Sequence, residues 1–399
     1  MVKPSTRRRF LTAGVAGSLA SIAGCSAIAP NSQTTSSSEP TSPAGTTVQY
    51  DLGSADYAQN LGVVDVRGAI YLPARAFNFY QQWANYDRKV IERDLGYATK
   101  VNLNAIRTWS SFELWHEDPQ KLEKRLDHFL SAAEERGLKV LMGLFDFAGA
   151  EPTKKRLHNT NPQTATGVRS PSSKVMRRKS RWGEPRKYVK WFMERYGDDD
   201  RLLAIEAMNE PGWRGYVMNF AKSMFRTMKQ MKGSVPLTVG STSMANNADY
   251  LDWGCDALQF HYNFAENREV YREMLQSNKN VADELDVPVY LSEWQRIRSA
   301  TGFNSEPPGH QKVPNYASVA PLIHQAGFGN FFWSLMLQPA FVPAQRKFGI
   351  LNGLFHEDGA VWSLRDAKAI MAMSGEVDVS GLEERQQWPQ WASGVKNRT

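Results

Sequence analysis

The chain has 399 residues, 42% of them hydrophobic and 22% charged, with a formal net charge of +7. That balance fits one large folded domain or two ordinary ones and excludes a disordered chain. No apolar run approaches the roughly 20 residues needed to span a bilayer, which excludes an integral helical membrane protein.

The first 25 residues read as targeting rather than fold. Arg7-Arg8-Arg9-Phe10-Leu11, after Ser5-Thr6, resembles a twin-arginine export signal. A mildly apolar stretch from Leu11 to Ala23 follows and ends Ile22-Ala23-Gly24-Cys25, which resembles a lipobox whose Cys25 takes a diacylglycerol. The bland alternative is an ordinary cleaved signal with an incidental Cys. Residues 1–24 are therefore expected to be a signal, 25–47 a lipidated Cys with a Ser/Thr/Pro-rich tether, and 48–399 the folded domain. The expected location is the cell surface or periplasm, through a lipid anchor in the membrane. Lys3, Arg7, Arg8 and Arg9 would leave with the signal, so the mature chain carries 7 − 4 = +3. With Cys25 lipidated, Cys255 is left alone, which rules out a disulfide and a thiol zinc site and suggests a small buried apolar residue.

From Val64 onward, apolar strand-like runs end near Tyr71, Arg107, Phe145, Asn209, Gly240, Tyr262, Glu293 and Trp333. Helical spacing predicts helices over Tyr80–Thr99, Pro119–Arg136, Pro185–Tyr196, Tyr216–Met231, Arg268–Leu285, Val313–Ala326 and Leu364–Met373. Asp118 before Pro119 is a plausible N-cap, and Gly137 a stop. Eight strands alternating with helices suggest an α/β fold, a (β/α)8 TIM barrel. The gap between the third and fourth strands is about twice the others, and the excess is an extended loop at about 148–183. In a barrel that loop rises from the face where active sites lie. Lys154 to Lys190 holds twelve Lys/Arg against the single acid Glu184. This cluster reads as a solvated loop, or as a surface that meets anionic glycans or lipid headgroups.

Two acids stand out. Asn209-Glu210-Pro211 closes the run from Leu202 to Met208, and Glu293-Trp294 closes the run from Val287 to Ser292. Two carboxylates at strand ends suit glycosidic-bond cleavage, where one protonates the leaving oxygen and the other attacks or activates water. The arrangement resembles the family 5 glycoside hydrolases, the cellulase and mannanase family of TIM barrels in the retaining clan, over about Val64 to Met373. The resemblance implies Glu210 as acid/base, Glu293 as nucleophile, and Asn209 on the sugar 2-hydroxyl. It further implies Arg107 as the partner of the nucleophile, His261 as the strand-six histidine, and Trp333 as the aromatic floor under the substrate. Two positions depart from the family. Asn263 stands where members usually carry a Tyr, beside Tyr262, and Phe145-Asp146 replaces the strand-three His. Strand alternation aims Tyr262 away from the site unless a bulge re-aims it. The carboxyl groups are expected about 5–5.5 Å apart, as in retaining enzymes.

Trp109, Trp115, Trp213, Trp294 and Trp333 fall near strand C-terminal ends, where flat indoles suit the C–H faces of sugars. Trp333 and then Trp294 are the expected platforms. No Gly-x-Ser-x-Gly elbow, phosphate-cradling loop or His-Glu-x-x-His occurs after the signal, so no metal or organic cofactor is implied. The expected partner is an oligo- or polysaccharide, with no nucleic acid, and the chain is expected to be a monomer. Two rivals stay open: a surface glycan-binding lipoprotein on a non-catalytic barrel, and a transglycosylase on the same fold.

Overall fold

The computed structural model describes residues 61–299 and 305–396. The signal, Cys25 and the tether lie outside the described residues. Eight strands form one parallel sheet: β1 (Arg67–Ile70), β2 (Ala105–Trp109), β3 (Lys139–Gly143), β4 (Leu202–Glu206), β5 (Leu237–Thr238), β6 (Leu258–Ala265), β7 (Val289–Ile297) and β8 (Gly329–Trp333). Their order is β5-β4-β3-β2-β1-β8-β7-β6. A helix follows each in turn: α1 (Arg88–Thr99), α2 (Pro119–Glu134), α3 (Gly183–Tyr196), α4 (Gly215–Gln230), α5 (Asn247–Trp253), α6 (Arg268–Asp283), α7 (Ala320–Ala326) and α8 (Leu364–Met371). This is the (β/α)8 barrel. At the seam between β5 and β6, Gln259 Nε2 donates to Thr238 Oγ1 at 3.1 Å and Asp256 N to Leu237 O at 2.9 Å. No described helix is long and apolar enough to cross a membrane.

The period-two pattern of each strand divides the core into two layers. Outward residues such as Ile106, Val140, Met142, Ile205 and Phe332 pack with the helices in the large cluster, which also holds the buried Cys255. Inward residues Ile70, Ala105, Trp109, Leu141, Ala204 and Phe331 fill the barrel itself. Polar groups occupy the same inward parity: Arg107, Glu206 and Gln259, all buried. Two glycines make room for them. A Cβ on Gly143 would run into the Trp109 indole, and one on Gly240 would lie 2.9 Å from Glu206 Oε1 and 3.0 Å from Arg107 Nη2.

Local chemistry explains most element ends. Asp118 caps α2 by accepting from Lys121 N at 2.9 Å, with Pro119 in the first turn, and Gly137 takes φ +68° beyond its end. The helix expected over Tyr80–Thr99 is instead two, Phe79–Ala84 and α1: the first ends at its C-cap Asn85, and Asp87 caps the second by accepting from Lys89 N and Val90 N. The expected Val313–Ala326 helix is confined to α7 after a 3-10 turn at Tyr316–Ser318, and α5 was not foreseen. The long basic segment is folded rather than loose. It forms short helices Lys154–Leu157 and Ser173–Met176, bridges Ala150 to Val168, and is pinned where Gln81 Nε2 donates to Leu157 O and Asn159 O.

Candidate active site

β4 ends in a turn that places Glu210 at φ +47°, a left-handed conformation rare outside glycine. Glu210 N donates to Gly240 O at 3.1 Å and Gly240 N to Met208 O at 3.0 Å, so β5 holds the turn in place. Glu293 lies within β7, not at its end, because the strand runs on to Ile297. β7 carries one extra residue at Ser292–Glu293 against both β6 and β8. That bulge lets Leu291 and Trp294, three positions apart, both pack into the outer core while Glu293 turns inward.

The two carboxylates and one histidine converge. One oxygen of Glu210, one of Glu293 and a ring nitrogen of His261 lie within 4.8 Å of one another. His261 Nδ1 is 2.7 Å from Glu210 Oε1 and 3.8 Å from Glu293 Oε2. Asn263 Nδ2 donates to Glu293 Oε1 at 2.8 Å, and Gln295 Nε2 donates to Asn263 Oδ1 at 3.2 Å. The position usually held by a phenol is thus filled by an amide oriented by a second amide.

Behind this trio lies a buried polar network. Arg107 was expected to pair with Glu293, but its main partner is Glu206. Nε and Nη2 donate to Glu206 Oε2 at 3.0 and 2.7 Å, while Nη1 reaches Glu293 Oε2 only at 3.5 Å. Glu206 also accepts from Trp109 Nε1 and Gln259 Nε2. Arg107 Nη2 further donates to Asn209 Oδ1 at 2.8 Å, and Asn209 Nδ2 to Asp146 Oδ1 at 3.0 Å. Glu206 was not singled out in the sequence. The available signal was a lone acid inside an apolar strand, at the same parity as inward-facing Ala204.

Burial sets the protonation states. Desolvation raises Glu210, with Arg107 opposing. Desolvation also raises Glu293, and Glu210 adds to this, but Arg107 and the Asn263 hydrogen bond pull it down; the pull from His261 acts only on a protonated ring. Two acids this close share their titration, and the donors around Glu293 favour the charge there, leaving the proton on Glu210. Desolvation pushes His261 down to about 4, so its imidazole is neutral near pH 7. Asp146 is pushed up to about 8, chiefly by burial.

The remaining expected residues divide. Trp333 is half-buried at the end of β8, its ring 5.6 Å from that of Phe341. Trp294 is not a platform. It is fully buried, donates to Asn330 Oδ1 at 2.9 Å and packs on Tyr316 and Phe332, so neither ring face is open to a sugar. Tyr262 also points away, stacked on Tyr271 of α6 with centroids 4.8 Å apart. The β7 bulge does not re-aim it. Trp109 is buried beneath Arg107, and Trp115 packs on Tyr188, whereas Trp213 is 60% exposed three residues after Glu210. Glu210, His261 and Glu293 offer three donors with the reach to hold a metal ion. The Arg107 guanidinium beside Glu293 sets a fixed positive charge against that use.

No protein-family model matches the sequence, and no curated protein matches it. Solved structures share the fold. An exo-β-1,4-mannosidase from Opitutaceae bacterium strain TAV5 superposes with a TM-score of 0.55 at 16% identity, over 77% of this chain and 58% of that one. The GH5_18 protein of Streptomyces cattleya, in complex with GlcNAc, superposes with a TM-score of 0.50 at 12% identity, over 78% of this chain and 80% of that one. The chain thus spans 58% of the length of the mannosidase. At these identities the likeness is one of fold.

Proposed function

We propose that the chain is a retaining glycoside hydrolase acting on a β-linked glycan. The observation that carries this is the approach of Glu210 and Glu293, whose nearest oxygens lie within 4.8 Å. That approach is compatible with the carboxyl separation of about 5–5.5 Å that lets one acid attack directly. Glu293, charged by its donors, attacks the anomeric carbon as the glycosidic C–O bond breaks, and Glu210 delivers its proton to the leaving oxygen. The product is a glycosyl ester on Glu293. Esterification removes that negative charge, so the Glu210 pKa falls and Glu210 can take a proton from water. The water attacks the anomeric carbon, freeing Glu293 and a sugar of retained configuration.

The test is hydrolysis of aryl and natural β-glycosides, mannosides and glucosides included, with the product anomer read by NMR. Retained configuration is the expected result, and an inverted product overturns the mechanism. Glu293→Gln should abolish turnover on all substrates. Glu210→Gln should cost roughly 10²–10⁴-fold on natural glycosides but far less on aryl glycosides with good leaving groups. Equal losses on both kinds would undo the role assignment. A wild-type protein that binds glycans without turnover would be a binding lipoprotein, and products longer than the substrate would mark a transglycosylase.

We further propose that the enzyme is exported and anchored through Cys25, a reading supported by the order of arginines, apolar stretch and Cys in the sequence. Cys25→Ala should release it from the membrane fraction. Wild-type protein with no acyl mass on its N-terminal peptide would refute the anchor.

A further inference from the structure

Beyond Glu210 the chain runs through Pro211, Gly212 and Trp213 to Arg214, and the last two are exposed. The Arg214 guanidinium sits 5.1 Å from the centroid of the Phe147 ring, with Arg169 at 4.8 Å from the same ring. Phe147 N donates to Asn209 O at 3.1 Å, so this stack adjoins the acid/base turn. Arg177 lies 4.1 Å over Tyr216, in the first turn of α4.

The three arginines differ in what else they hold. Arg169 is committed: it donates to Gly149 O and Ser173 Oγ and faces Glu151 at 3.6 Å. Arg177 and Arg214 form no ion pair or side-chain hydrogen bond among the described residues; each rests on an aromatic face. Nearby Lys174, Arg178, Lys179 and Arg181 are exposed as well. The one acid between 154 and 190, Glu184, is held by Lys187 at 2.8 Å. A merely solvated surface interleaves both signs of charge. Here cations outnumber acids on the rim beside Glu210, where Glu151 is taken up by Arg169 and two arginines are pre-oriented on rings with their donors free.

A general acid lies on the side of the departing sugar, so this rim faces the leaving-group portion of a bound glycan; that orientation rests on the hydrolase reading above. We propose that this side binds sugar residues bearing an anionic substituent, a carboxylate or a sulfate ester. Trp213 supplies a flat face for the ring, and Arg214 and Arg177 supply donors for the charge. Guanidinium forks suit both anions, since each presents paired oxygens.

The test uses the whole chain and three soluble polymers with one backbone: carboxymethyl cellulose, cellulose sulfate and hydroxyethyl cellulose. Affinity electrophoresis should show at least one anionic polymer held about tenfold more tightly than the neutral one, and the stronger of the two identifies the substituent. The preference should fade as added salt shortens the screening length from roughly 10 Å at 0.1 M to 3 Å at 1 M. Arg177→Glu/Arg214→Glu should remove it. Arg365→Glu/Lys368→Glu on α8, an equal change of net charge at exposed positions, should keep it. Equal retention by all three polymers, or equal loss in both double variants, overturns the proposal. So does binding to phosphatidylglycerol vesicles that only the rim variant loses while the polymers bind alike, which would make the surface membrane-facing. Aryl-glycoside turnover is measured separately. A silent wild type sinks the hydrolase reading, whereas an active wild type without charge preference sinks the anionic subsite alone.

Discussion

Asp146→Asn should gain stability relative to the wild type as pH rises from 5 to 8. Asp146 is buried at the end of the third strand, where it accepts from Asn209 Nδ2 at 3.0 Å and Ala148 N at 2.8 Å and forms no ion pair among the described residues. Burial pushes its carboxyl up to about 8, while in the unfolded chain it titrates near the ordinary value of about 3.9. The native state therefore binds the extra proton between these values. The stability this group contributes is fully present below about pH 4 and is lost as pH rises through about 8. At about 1.4 kcal/mol per pH unit, the loss from pH 5 to pH 8 has a ceiling of about 4 kcal/mol. Water penetration and local relaxation reduce this, and about 2 kcal/mol is a reasonable expectation. Asparagine keeps an acceptor for both donors and cannot ionise. In urea unfolding the variant should therefore gain on the wild type as pH rises from 5 to 8. Over that range its midpoint should gain about 0.7 M relative to the wild type, taking a slope of about 3 kcal/mol/M. Asp94 and Asp366, raised to about 6, and Glu113, raised to about 7, titrate with the same sign in both proteins, so they cancel in the difference. A variant–wild-type gap that is the same at both pH values would refute the reasoning.

Two further outcomes follow from the network around the site. Arg107→Ala strands Glu206 without its cation and should cost about 3–5 kcal/mol in urea unfolding. In the protein that still folds, the acidic limb of the pH–rate profile should move to higher pH, because Glu293 loses a positive charge at 3.5 Å. An unmoved limb would mean that Arg107 serves Glu206 alone. Trp294→Ala should cost about 3–5 kcal/mol of stability with KM unchanged. Trp333→Ala should do the reverse, raising KM with a small change in melting temperature; the opposite pattern would show that the two indoles have been assigned the wrong roles.

The alternation of apolar strands with capped helices was enough to read a (β/α)8 barrel from the chain, because side-chain period and capping are local properties. The placement of Glu210 after the fourth strand was legible for the same reason, whereas Arg107 was named only through the resemblance to a family. What local pattern could not carry was the partnering of groups far apart in sequence. Arg107 meets Glu206 99 positions away, with Glu293 as a more distant neighbour at 186 positions. Which of the two acids takes the guanidinium depends on how the second, fourth and seventh strands register around the barrel. The fate of Trp294 turned on one extra residue in β7: alternation alone cannot locate a bulge, and the bulge sends Glu293 inward and the adjacent indole into the core. Asp146 and Asn263 were visible in the sequence as departures from a family pattern. Only the folded barrel shows that one amide chain holds Glu293 and that a buried carboxyl anchors Asn209, because both depend on how neighbouring strands are registered.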